Sequence, residues 1–214
     1  MKKRDLRKNP DLVGEPSAEA LYGYQSEKRQ GEYTLEDYYA LPDDQRVEII
    51  DGVIYDMAAP TSAHQRILAI LTAMFEAFVS GNEGNCQVFM APCDVQLDRD
   101  ERTMVQPDLM VICNRDQILM RGIFGAPDLV IEILSPSTRE KDITIKTAKY
   151  CSAGVREYWI IDPDRQIVLV YLFASSRFPV YYTFGDTIPV FIWDGELKVD
   201  FSRIREKIAY LFDR

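Results

Sequence analysis

The stretch Asp128-Leu129-Val130-Ile131-Glu132-Ile133-Leu134 constrains this chain most. It is apolar at nearly every position, so it reads as a strand buried on both faces rather than one with a wet side. A strand of that kind needs a covering layer on each side. Its single interior acid, Glu132, is costly to bury unless something compensates it. Ser135-Pro136-Ser137 ends the run, and a helix follows. Ser137 and Glu140 fit a capping box at its start, and Gly154 fits its C-terminal cap. Glu157 to Ile161 then forms another strand.

The rest of the chain follows the same grammar. Thr34 caps a short helix, with Asp37 three residues on, and Leu41-Pro42 ends it. Val47 to Tyr55 forms two strands around the Asp51-Gly52 turn. Ile67, Leu68, Ile70, Leu71, Met74, Phe75 and Phe78 recur at helical spacing, predicting a helix over 62–78. Cys86 to Leu97 reads as a strand broken at Pro92, and Val105 to Cys113 as another with Pro107-Asp108 near its start. Ile167 to Phe173, Val180 to Phe184 and Val190 to Trp193 read as strands, and Phe201 to Phe212 as a closing helix. The fold class is α/β: a mixed sheet flanked by helices. Residues 1–31 read as a flexible N-terminal arm and 32–214 as one domain.

Charge and residue inventory narrow the chemistry. The chain carries 34 acidic and 25 basic residues, a net charge of −9. Bulk attraction to DNA is therefore weak, because phosphate binding relies on displacing counterions with basic surface. No apolar run reaches the roughly 20 residues that span a bilayer. The basic start Met1-Lys2-Lys3-Arg4 has no apolar core behind it, so it does not read as a signal peptide. Cys86, Cys93, Cys113 and Cys151 show no metal-ligand spacing and read as small buried hydrophobes in a reducing cytoplasm. There is one histidine, His64, and no G-x-S-x-G, P-loop or G-x-G-x-x-G sequence. His-metal clusters, serine triads of the elbow type and nucleotide folds are excluded. Carboxylate and lysine chemistry remains.

Asp108 and Glu132 both sit in apolar strands. A divalent cation between them would offset their repulsion, and hard oxygen donors suit Mg²⁺ or Mn²⁺. Asp128 is a weaker partner: four residues from Glu132 on one strand, it lies roughly 13 Å away. It reads instead as a strand-start residue at the sheet rim. Lys146 and Lys149 fall on one arc of the next helix with Asp142. Asp142 and Lys146 also have the spacing of an ordinary surface ion pair. His64 reads as structural, with a place facing the site as the alternative; Tyr158-Trp159 reads as core or interface, and Asp43-Asp44 as a solvated loop.

Four stretches resemble the Uma-two family of restriction endonuclease-like proteins, once known only as a domain of unknown function. They are 47–52, Gln106-Pro107-Asp108, 125–138 and 154–163. The resemblance implies membership of the PD-(D/E)xK nuclease-like superfamily and a restriction endonuclease-like fold. It implies Asp108 and Glu132 as metal-binding acids, with the main-chain carbonyl of Ile133 as a further ligand. It also implies that the lysine usually two residues after the second acid, where Leu134 stands here, has moved to the helix. The family spacing of Asp, Lys and Tyr falls on Asp142, Lys146 and Tyr150 and favours Lys146 over Lys149. Arg139 precedes that Asp by three residues, as is common in the family. Glu48 is an additional candidate acid. The implied activity is Mg²⁺- or Mn²⁺-dependent hydrolysis of DNA phosphodiesters, by a cytoplasmic homodimer. The alternatives are a non-catalytic nuclease fold that binds DNA or protein, and a hydrolase of another phosphate substrate. With so acidic a chain, DNA contact is expected from a local basic patch of Arg139, Lys141, Lys146 and Lys149.

Overall fold

A computed structural model describes residues 28–42, 45–97, 101–135 and 139–212. Most of the expected arm, the Asp43-Asp44 loop and the Ser137 cap lie outside these residues. Two six-stranded sheets and a two-stranded ribbon carry the chain. The first sheet has the order β2-β1-β5-β4-β8-β7: β1 Val47–Ile50, β2 Val53–Asp56, β4 Val95–Gln96, β5 Met104–Val105, β7 Ile118–Leu119 and β8 Gly122–Phe124. The second has the order β12-β11-β10-β9-β6-β3: β3 Gln87–Met90, β6 Leu109–Ile112, β9 Leu129–Ile133, β10 Glu157–Asp162, β11 Ile167–Leu172 and β12 Val180–Thr183. The helices are α1 (Leu35–Ala40), α2 (Ser62–Gly81), α3 (139–153) and α4 (Phe201–Ile208). The α/β mixed-sheet reading therefore holds, with two large sheets instead of one.

Alternation along the central strands explains the layering. Leu129, Ile131 and Ile133 point to one side of the second sheet. There they pack with Leu109, Val111, Trp159 and Ile161 against Ile67, Leu71 and Phe75 of α2 and Phe201 and Ile204 of α4. Val130 and Leu134 point the other way. They join Met110, Tyr158 and Ile160 against Tyr150 of α3 and Ile50, Val95 and Val105 of the first sheet. The expectation that this strand is buried on both faces is met, and Tyr158 and Trp159 are core residues.

Proline makes the seam between the sheets. The stretch read as broken at Pro92 does split in two, and the neighbouring stretch, read as one strand up to Cys113, is split as well. β3 and β6 pair in the second sheet, while β4 and β5, their continuations, pair in the first. Pro92 sits at one break and Pro107 at the other, and neither has an N–H to give a ladder. The chain crosses between sheets at Gln106–Asp108. The hairpin at Asp51-Gly52 forms as expected, with both residues at positive φ. A side chain on Gly52 would strike the Gly31 carbonyl, because Gly31 docks on the turn through its N–H to Gly52 O.

Three expectations need correction. Val190–Trp193 is not a strand: Phe191–Trp193 is a 3₁₀ turn leading to Asp194 and Gly195 at positive φ. The local strands are instead β13 (Thr187–Pro189) and β14 (Lys198–Asp200), a pair that a left-handed turn closes. The hairpin β7–β8 was not anticipated either, because its strands are too short to show alternation. Finally, Cys86 and Cys113 are not free thiols. They are bonded to each other across the β3–β6 ladder, one step beyond the Gln87–Ile112 pair. Cys93 and Cys151 remain free. The bridge removes the support that four reduced cysteines lent to a cytoplasmic location.

Candidate active site at the seam of two sheets

Glu48 comes from the first sheet, Glu132 from the second, and Asp108 from the crossing between them. They line a cavity of about 260 Å³ together with His64, Lys141 and Lys146. β9 places Glu132 on its Val130–Leu134 face, away from α2 and towards α3 and the first sheet. Sequence spacing alone gives no hint that Glu48 and Lys141, 93 positions apart, meet there.

Lys146 organises the buried charge. Its Nζ lies 2.8 Å from Glu132 Oε1, 2.7 Å from Glu48 Oε1 and 3.7 Å from Asp142 Oδ1. Lys141 donates to Glu48 Oε2 at 2.6 Å, and the Gln106 N–H donates to Glu48 Oε1 at 3.0 Å. The Tyr150 hydroxyl donates to Glu132 Oε1 at 2.7 Å. Asp142, Lys146 and Tyr150 share one face of α3 and reach this side, and 142–146 is wound as a π-helical segment. Such segments recur at functional sites.

The electrostatics separate the two glutamates. Burial alone would raise Glu48, but the charges and hydrogen bonds of Lys146 and Lys141 outweigh it and hold the carboxyl at about 2. Burial pushes Glu132 up to about 8. Lys146 opposes the shift, while Asp142, Asp108 and Glu48 add to it. Lys146 is itself raised well above its usual value: burial would lower it, but the acids around it prevail. The cavity thus crowds four acids, Glu48, Asp108, Glu132 and Asp142, around Lys141 and Lys146.

Asp108 ends the β6–β9 ladder. The last paired residue of β9 on that side is Ile131, so the Ile133 N–H has no partner strand. Asp108 Oδ2 accepts it at 2.7 Å, and His64 Nε2 lies 3.0 Å from the same oxygen. His64 is buried in the first turn of α2, and its Nδ1 has no hydrogen-bond partner among the described residues. Buried and bonded to Asp108, it lines the cavity, so it holds both places the sequence left open for it. The available signal was that the chain's sole histidine stands in the first turn of a long helix, directly behind Pro60-Thr61.

A divalent cation fits the donor chemistry. Asp108 Oδ1 and Glu132 Oε2 make no hydrogen bond with any described residue, and both residues line the cavity. Among the described residues no three His, Cys, Asp or Glu side chains form a ready-made metal cluster. Two cavity-lining carboxylates with one oxygen each unclaimed match the donor set of Mg²⁺, which keeps several waters and takes only one or two protein carboxylates.

The remaining candidates are placed elsewhere. Asp128 accepts from the Cys113 N–H and pairs with Arg156, as a rim residue should. The expected basic patch does not present free charge. Lys141 and Lys146 serve Glu48 and Glu132, Arg139 is paired with Asp162, and Lys149 with Asp51. Arg46 was not anticipated. It lines the cavity and donates to Gln106 Oε1 at 3.1 Å, with no carboxylate partner among the described residues.

Two six-stranded sheets meeting at a proline-made seam, with helices packed against them, define a layered α/β fold. Its backbone matches the crystal structure of a putative nuclease belonging to DUF820 from Anabaena variabilis ATCC 29413, with a TM-score of 0.67. That likeness is at 23% identity and covers 81% of this chain and 97% of that one, so it speaks for the fold. No curated protein matches. Residues 35–190 match the Uma2 family, described as "putative restriction endonuclease", and the chain belongs to that family.

Proposed function

We propose that this protein is a Mg²⁺- or Mn²⁺-dependent endonuclease that hydrolyses DNA phosphodiesters in the seam cavity. The observation that carries this reading is the meeting of Asp108 and Glu132, each with one oxygen unclaimed, beside a lysine that stays protonated. Asp108, Glu132 and the carbonyl of Ile133 would hold the cation. When bound, it supplies charge to polarise a phosphate oxygen and lowers the pKa of a coordinated water.

The chain's own groups do the rest. Lys146 offers a fixed ammonium for the charge that develops on the phosphate, or for orienting the attacking water. Both oxygens of Glu48 are already engaged, so we assign it to anchoring Lys141 and Lys146 rather than to direct chemistry. His64 fixes the Asp108 carboxylate. Arg46, held by Gln106, is a phosphate contact. We place the protein as a homodimer, since cutting both strands takes two such sites. A cytoplasmic location is part of the same reading, and no helix among the described residues is long and apolar enough to cross a membrane.

The decisive measurement compares wild type with Glu132→Ala on plasmid and oligonucleotide DNA, with Mg²⁺ or Mn²⁺ added. Metal-dependent cutting lost in the variant is the expected outcome. DNA binding with neither cutting nor metal uptake would favour the second reading, a non-catalytic binding module. Turnover of a small phosphodiester alone would point to another phosphate substrate.

A further inference from the structure

Two hollows share the first turns of α2. The inner one is the site cavity. The outer one, about 370 Å³, is lined by Ser62, Arg66, Ala69 and Tyr210, with Pro60 and Gln65 common to both. Helix pitch accounts for the division. Ser62, Arg66 and Ala69 form one stripe at i, i+4, i+7, while His64 and Leu68 form the adjacent stripe over the inner cavity. Gln65 stands between them. A chain lying in the inner cavity would leave it over this outer hollow.

The charge pattern there is unusual for so acidic a protein. Among the described residues no carboxylate lines the outer hollow, although the chain has 34. Arg66 makes no ion pair or hydrogen bond with any described residue, unlike the four cations near the inner cavity that are tied to acids. Beside it stands Tyr210, 56% exposed. Tyr210 sits on the 3₁₀ turn Ala209–Leu211, which continues α4. α4 is itself locked to the core by Phe201, Ile204 and Ile208, so the ring is carried on a fixed element. A free guanidinium next to an exposed aromatic ring is the pair that single-stranded nucleic acid uses: charge for the backbone, a flat face for a base.

We propose that the outer hollow is a subsite for an unpaired nucleotide next to the scissile phosphodiester. Arg66 contacts its phosphate and Tyr210 stacks on its base. Stacking on a protein ring needs a base outside the duplex, so the favoured substrate is single-stranded or has a splayed end. The subsite rests on the nuclease reading above and deepens it by naming the substrate class.

The test is binding of short fluorescent oligonucleotides, single-stranded or blunt duplex, to the full chain in Ca²⁺, with Mn²⁺-supported cleavage followed in parallel. Wild type is expected to bind the single strand more tightly than the duplex. Arg66→Ala and Tyr210→Ala should each weaken single-strand binding about tenfold, while Tyr210→Phe keeps it. Both residues are exposed, so thermal melts of the variants should match wild type. Unchanged binding in both alanine variants overturns the subsite, as does equal affinity for duplex and single strand, or no binding to either. Cleavage by wild type with unchanged variant binding overturns the subsite alone. Strand binding that depends on Arg66 and Tyr210, without any cleavage, sustains the subsite and sinks the hydrolytic reading.

Discussion

Lys146 Nζ stands within hydrogen-bond distance of Glu48 and Glu132 and near Asp142, and all four side chains are buried. Removing it leaves several acids without their shared cation. Breaking a buried pair in this way costs about 3–5 kcal/mol. We expect Lys146→Met to lose stability on that scale in urea unfolding. Glu132→Gln should lose much less, because Lys146 keeps Glu48 and Asp142. A milder effect of the lysine variant than of the glutamine variant would contradict this ordering. His64 acts more locally, as one of two groups bonded to Asp108 Oδ2. Losing a partner that orients a ligating carboxylate typically lowers metal affinity about 10- to 100-fold. His64→Ala is expected to weaken Mn²⁺ binding by that factor in titration calorimetry. Unchanged affinity would remove His64 from the site.

At the scale of elements, the helix after β9 has to be held where its π segment can deliver Lys146. Arg139 does this at its first turn by pairing with Asp162, the last residue of β10; Arg139 Nη2 donates to Asp162 Oδ1 at 3.0 Å. Burial would raise Asp162, but the Arg139 hydrogen bonds and charge, helped by Arg165, hold it below its usual 3.8. The folded state therefore binds this proton less readily than the unfolded chain. The resulting stability is fully present above 3.8 and is lost as pH falls through the lowered folded value. Arg139→Ala should thus be less stable than wild type at neutral pH, with the gap closing in acid below that value. A gap that stays constant into acid would show that the pair contributes through packing alone. Much of this arrangement was legible beforehand: the strand, its stop, the helix and its Gly154 cap all have local signatures. The split strands were half legible. Pro92 marked one break, while Pro107 was read only as near a strand's start, and nothing local says that each half joins a different sheet.

Across the whole molecule, the crowding of acids at the seam becomes a testable property. A ligand that binds only the folded state adds stability, about 2.7 kcal/mol at a hundred times its Kd. Mn²⁺ is expected to raise the melting temperature of wild type and not of a variant lacking both Asp108 and Glu132 carboxylates. An equal rise in both would place the cation elsewhere. The net charge of −9 is spread over a chain whose site lysines are paired with acids, while among the described residues Arg46 and Arg66 near the cavities have no carboxylate partner.

The sequence by itself determined the layered α/β class, the doubly buried strand and the acids at Asp108 and Glu132. Each of these follows from periodicity or from the cost of burying a charge, and both are properties of a few neighbouring residues. Only the tertiary structure decided that His64 faces Asp108, that Lys141 and Lys146 meet Glu48, and that the expected basic patch is spent on internal pairs. Those contacts join residues from different sheets and helices, often many tens of positions apart. A cation's partner is chosen by where the folded chain brings an acid, and no local pattern encodes that distance.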